Sequence, residues 1–335
     1  MASALPLRAA LTRGVLLTAA NWPIILIEFT LESLYKLALA VPIVGGAFMV
    51  AVLLGEDVRV LFEGGLRSAV ELVVQSLHNA PVALASFFVA VGLVAVGGAV
   101  VVFAVKAGTL GTLVVADAKA GEFHRSPLTL AAFRRAGAFD ARQVLAAIHH
   151  FWTRSAKLAV WLSLAYLVIG VVYVGAFAFA LRVAESAEWA PFWPLIILIS
   201  TSTGLVAVAV VNLISDLLRV IMVTDDCDLR GAAQRLRRFV IQDARQVLGI
   251  FGVIGAFLLL ATAASVMTTA GLTLVAWVPV AGLISLPLRA AAWLIQGLLF
   301  QFLALTALSA YQTQYRRFAT PATPVSTTDR FREHA

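Results

Sequence analysis

Residues 133–148 and 236–251 are two copies of one segment, FRRAGAFDARQVLAAI and LRRFVIQDARQVLGIF, identical at eight of sixteen positions. Both contain an unbroken Asp-Ala-Arg-Gln-Val-Leu, and each lies in a basic stretch between long apolar runs. A duplicated unit that includes its flanking apolar runs must fold the same way twice. The copies lie two apolar runs apart, so both emerge on one side of any membrane the chain crosses. This predicts a parallel repeat about an axis along the membrane normal, with units near 82–181 and 192–268.

Hydrophobic residues make up 61% of the chain and charged residues 13%, and the mean hydropathy is +0.95. Soluble domains are nearer half apolar and a quarter charged. The composition therefore predicts an all-α polytopic membrane bundle occupying residues 1–312. Six runs are long enough to span a hydrocarbon core, at 22–54, 82–105, 158–181, 192–215, 247–268 and 290–312. Backbone polar groups in lipid must be satisfied within the segment, and no period-2 alternation suggests a barrel.

Lys and Arg fix the expected orientation. With the N-terminus inside, inner segments carry 20 of them and outer loops four, namely Arg59, Arg67, Arg182 and Arg289. The positive-inside rule then puts both termini in the cytoplasm of a bacterial plasma membrane. The formal charge of +7 follows from this inner bias, which suits anionic lipid and argues against a nucleic-acid partner. One cysteine, Cys227, excludes an internal disulfide framework.

Residues 5–20, with Arg8 and Arg13, read as a retained amphipathic helix on the membrane surface. The first span admits two readings, a single long helix over 22–54 or a surface segment 14–36 followed by a crossing at 37–54. The narrow stripe of Glu28, Glu32 and Lys36 favours the long helix, with a kink at Pro42 or Gly45-Gly46. Leu66, Val70, Val73, Val74 and Leu77 recur at helical spacing, predicting an outer interfacial helix over 66–78. Pro279 and Pro287 break the apolar stretch 271–288, predicting a re-entrant or interfacial segment. Residues 313–335, Pro/Thr-rich in part, are expected to form a disordered cytoplasmic tail.

Asp140 with Gln143, and Asp243 with Gln246, stand three apart before an apolar run, a capping-box spacing. Each Asp is expected to cap a helix where it enters the bundle. Arg134, Arg135 and Arg142, with Arg237, Arg238 and Arg245, suit lipid phosphates or the acidic Asp225, Asp226 and Asp228. The two elbows also suit a shared protein partner or anionic ligand.

Ionisable groups within a span mark a functional candidate. Glu32 and Lys36 can pair at i,i+4, which leaves Glu28 either protonated or paired with a charge on another helix such as Arg219. A structural contact and proton or ion handling both fit that stripe. The fourth run carries Ser200, Thr201, Ser202 and Thr203, then Asn212 and the Asp216–Arg219 pair, either lining a polar path or joining helices. Glycines 92, 97 and 98, and 249, 252 and 255, suit close helix contact. His149 and His150 lie in another loop from the Asp225–Asp228 turn, so no metal site or cofactor is expected. Nucleophile-elbow, HExxH, P-loop and GxGxxG motifs do not occur.

The stretch from Asn212 to Phe251 resembles a broad group of prokaryotic polytopic proteins, including the membrane domain attached to some glycerophosphoryl diester phosphodiesterases. The resemblance implies about six helices and a surface N-terminal helix. It supplies no catalytic residues, and the phosphodiesterase barrel has no counterpart in the chain. A non-enzymatic scaffold acting through lipids or partners at the inner leaflet is the first functional expectation. The alternatives are a small transporter or channel using Glu28, Glu32 and the hydroxyls, and a lipid-modifying enzyme.

Overall fold

The structure, a computed structural model, describes residues 6–54, 81–121, 130–137, 139–185, 190–275 and 279–319. Helices α1 (Leu7–Ala20), α2 (Trp22–Leu54), α3 (Pro81–Ala120) and α4 (Leu130–Ala136) come first. They are followed by α5 (Ala141–Glu185), a 3-10 turn at Ala190–Phe192, α6 (Trp193–Thr224), α7 (Leu229–Val275) and α8 (Pro279–Ala319). No strand occurs among the described residues. Helices α3 and α5 to α8 are long and apolar enough to cross a membrane. The expected interfacial helix at 66–78 lies outside the described residues.

The chain divides into two compact units, Thr30–Val102 and the remainder. Within Thr30–Val102, α2 and α3 meet where glycine removes a side chain. A Cβ on Gly98 would stand 2.3 Å from the Tyr35 ring, and one on Gly46 would stand 2.3 Å from Phe87. The Tyr35 hydroxyl donates to the Ala95 carbonyl at 2.9 Å. Pro42 lies inside α2, which continues unbroken past it. The long-helix reading of 22–54 therefore holds as secondary structure.

In the other unit the core gathers at one end. It takes the C-terminal part of α3 (Leu110, Leu113), the first turns of α5 (Phe151), the last turns of α6 (Leu217, Ile221), the start of α7 (Phe239, Ile250) and the end of α8 (Leu305, Tyr315). Phe239 and Tyr315 meet edge to face with ring centroids 5.4 Å apart. Toward their other ends α5, α6 and α7 carry exposed Val, Leu, Ile and Phe.

The N-terminal helix departs from expectation. Ala10, Arg13, Gly14, Leu17 and Thr18 of α1 are buried, at the i, i+3, i+4, i+7, i+8 spacing of a core-facing stripe. A Cβ on Gly14 would lie 2.7 Å from the Thr306 backbone oxygen, so α1 packs directly on α8. It is a bundle element because its small residues and Thr18 permit close contact, and Arg13 has a buried partner.

Other boundaries also move. Helix α8 runs to Ala319 with Gln312, Thr313, Gln314 and Tyr315 buried, so chain read as the start of a polar tail is packed helix. Residues 320–335 lie outside the described residues. Within 271–288 one helix ends at Val275 and the next starts at Pro279, where proline's missing N–H is tolerated in the first turn, while Pro287 lies inside α8 without ending it. Of the six glycines expected at close contacts, Gly98 and Gly249 meet neighbours. Gly92, Gly97, Gly252 and Gly255 meet none within 4 Å among the described residues.

Candidate functional site

The two copies of the repeated segment share a local break. In the first, α4 ends at Ala136 and α5 starts at Ala141, with Asp140 as cap: its Oδ1 accepts from the Arg142 backbone N–H at 2.9 Å. In the second, helix continues on both sides of Asp243, whose φ of −120° and ψ of 24° are non-helical. The expected fresh helix start there is a kink inside α7. A bend of the backbone replaces the gap, and Gln246 Oε1 is left buried without a hydrogen bond among the described residues.

Three charged clusters join the helices elsewhere. Arg13 Nε donates to Asp117 Oδ1 at 2.6 Å and its Nη2 donates to the Asp117 carbonyl at 3.0 Å. Arg13 also reaches the Gly121 carbonyl, presented where Gly121 takes a positive φ of 61°. Arg316 Nη1 donates to the other Asp117 oxygen at 2.9 Å. One carboxylate thus ties α1, α3 and α8. Beside it, Asn21 Nδ2 donates to the carbonyls of Leu17 and Ala136, each at 2.9 Å, joining α1 to α4.

The second cluster centres on Asp225, whose Oδ2 accepts from Arg235 and from the Tyr315 hydroxyl. In the third, His150 Nε2 lies 2.9 Å from Asp226 Oδ1, which also pairs with Arg154. Burial alone would push the Asp226 carboxyl up, but the hydrogen bonds and charge of His150 and Arg154 outweigh it and hold it below the ordinary carboxylate value. Burial pushes the neighbouring Cys227 thiol up, with Asp225 and Asp228 adding to the effect against Arg235 and Arg154. No group of three metal-ligating side chains forms among the described residues.

The acidic turn therefore draws on Arg154 and Arg235, not on the elbow arginines proposed from sequence. Arg134, Arg135, Arg142, Arg237, Arg238 and Arg245 are all exposed. Among the described residues none of these six takes part in an ion pair. Spacing explains the difference. Arg235 and Arg154 stand on the faces of α7 and α5 turned toward the turn, whereas the repeated arginines point away from the core.

The intramembrane candidates separate. Glu28 is buried and accepts from Thr109 Oγ1 at 2.5 Å. Arg219 is also buried, pairs with Asp216 at 3.5 Å, and stacks 4.7 Å over the Phe103 ring. The suggested Glu28–Arg219 pairing gives way to these contacts, because Asp216 stands one turn from Arg219 on the same helix. Glu32 and Lys36, in the other unit, lie 3.7 Å apart with Lys36 largely exposed. Among the hydroxyls, Thr201 reaches Tyr173 at 3.3 Å, while Ser202 and Thr203 are exposed and Ser200 is half-buried. Asn212 accepts from the Tyr166 hydroxyl. Thr109 with Glu28, Tyr173 with Thr201 and Tyr166 with Asn212 each join two helices, whereas Glu32–Lys36 and Asp216–Arg219 pair within one helix.

Sequence reasoning missed Arg13, Asp117, Thr109, Arg154, Arg235, Tyr315 and Arg316. A lone acid ending the uncharged run 107–116 was the available signal for Asp117. No known protein family, characterised protein or solved structure matches the chain. The resemblance of residues 212–251 rests on its sequence pattern alone.

Proposed function

We propose that the protein is a six-span, non-enzymatic membrane scaffold whose two arginine elbows hold anionic lipid headgroups at the inner leaflet of a bacterial plasma membrane. The observation that carries this reading is the set of six exposed arginines left outside every described ion pair. Cations beside an anionic leaflet gain about 1 kcal/mol each from its surface potential. Paired arginines would forfeit most of that. In this reading α2 is the sixth span and both termini are cytoplasmic, as the bias of Lys and Arg requires.

The position of the core supports the same orientation. Apolar burial drives packing where water competes and supplies little drive between helices already in lipid. A core concentrated at the arginine-bearing ends, with exposed apolar side chains beyond, fits those ends standing at the aqueous boundary. The shared break at Asp140 and Asp243 supports a parallel repeat, since each copy turns the chain at the same residue.

A photo-crosslinking residue placed at Arg142 and, separately, at Arg245 tests the reading in native membranes. Both positions should capture phosphatidylglycerol or another anionic phospholipid, identified by mass spectrometry. Capture of one protein at both positions with no lipid would replace the lipid reading with a scaffold for that partner. Substrate flux in proteoliposomes that is lost in Glu28→Gln or Glu32→Gln would instead establish a transporter.

A further inference from the structure

Between α7 and α8, toward the ends away from the arginine elbows, lies a half-open groove of about 490 Å³. That is within the size range of small-molecule sites, about 300–1,000 Å³. Its walls are two helical stripes. Helix α7 contributes Ala261, Ser265, Thr268 and Thr269, and α8 contributes Arg289, Trp293, Gln296 and Leu299.

The stripes run in opposite directions, so their chemistry sorts by depth. Arg289 stands with Thr268 and Thr269, while Leu299 stands with Ala261, some 10 residues or 15 Å farther along α8 at about 1.5 Å per residue. The sequence places the apolar runs of these helices at 247–268 and 290–312. The cation and the two threonines therefore sit at the boundary of the apolar zone, and the alkyl groups sit within it. Trp293 forms one wall and is braced by Phe29 of α2, with ring centroids 5.9 Å apart. Phe29 also fills the space above Gly297, where a Cβ would lie 2.3 Å from its ring.

We propose that this groove binds one phospholipid molecule, with Arg289 on its phosphate and an acyl chain along Ala261, Ile295 and Leu299; the Thr268 hydroxyl donates to its own helix, to the Ala264 carbonyl at 2.8 Å. A guanidinium donates in a planar fork that matches phosphate oxygens, and tryptophan is favoured at the headgroup level. One cation matches one phosphodiester charge, so phosphatidylglycerol is preferred to zwitterionic phosphatidylcholine. The site shares no residue with the elbows, the second of which lies near the opposite end of α7 and the first between α4 and α5.

The test is native mass spectrometry of the full chain, delipidated in detergent and titrated with phosphatidylglycerol, phosphatidylcholine or inorganic phosphate. The parent should retain a single phosphatidylglycerol most strongly. Arg289→Gln should weaken it about tenfold, the scale of one charge-assisted hydrogen bond, while Arg182→Gln, an exposed arginine outside the groove, should leave it unchanged. Leu299→Trp, which fills the apolar end and leaves the polar end intact, should also weaken binding. Equal retention in Arg289→Gln and parent, or in Leu299→Trp and parent, would overturn the proposal. Displacement of the lipid by millimolar phosphate would do the same, by assigning the site to a free anion.

Discussion

Removal of the Asp117 carboxylate should loosen the N-terminal helix from the bundle. Arg13 and Asp117 have side chains only 9% and 6% exposed, so neither charge is well solvated. Breaking a buried pair by deleting one partner costs about 3–5 kcal/mol. In Asp117→Ala, Arg13 keeps its bonds to the carbonyls of residues 117 and 121, and Arg316 is 31% exposed and regains water. The lower end of that range, about 3 kcal/mol, is therefore expected. Arg13→Met should cost less, because Asp117 keeps Arg316. Combined, the two changes should cost less than their sum by about 2 kcal/mol, within the range for contacting groups. Reversible SDS titration in mixed micelles, followed by circular dichroism and by limited proteolysis near residues 6–20, reads both quantities. Additive effects, or Asp117→Ala within about 0.5 kcal/mol of the parent, would refute the account of α1 as a packed element.

Three further outcomes follow. Asp140→Ala should destabilise by about 1 kcal/mol and Asp140→Asn by far less, since asparagine also caps; the same titration reads both. Gly14→Ala should destabilise by about 1–3 kcal/mol through its clash with the α8 backbone, while Gly252→Ala, facing open space, should be neutral or slightly stabilising. The Asp226 carboxyl is held below its ordinary value, so its stabilisation is present above the unfolded pKa of about 4 and lost as pH falls through the folded one. Unfolding midpoints in buffers from about pH 6 down to about pH 3 should fall in the parent, and less steeply in Asp226→Asn.

Apolar runs made the helices legible, since lipid-compatible sequence leaves the backbone no other way to satisfy its polar groups. Asp140 was legible as a cap because its side chain acts on its own next turn. Local chemistry of that kind is written in order along the chain. Arg13, Asp117 and Arg316 were not legible, because their partners are brought together only by tertiary packing and none carries a distinguishing spacing. Composition misled at Thr313–Tyr315, where polar residues suggested a solvated tail although amide and hydroxyl groups can be buried against a facing helix. Asp243 matched Asp140 residue for residue, yet helix on both sides turned its cap into a kink. The arginines showed a third limit: sequence marked the six repeated ones as notable, but only packing separated them from Arg154 and Arg235, which the acidic turn uses.

The most direct test of the whole account is sidedness labelling with a membrane-impermeant maleimide, in a Cys227→Ser background, of single cysteines replacing Arg142 and Arg245. A parallel repeat predicts that both react only in inverted vesicles, and that a cysteine replacing Arg182 reacts in intact cells. Labelling of Arg142→Cys and Arg245→Cys from opposite faces would contradict it.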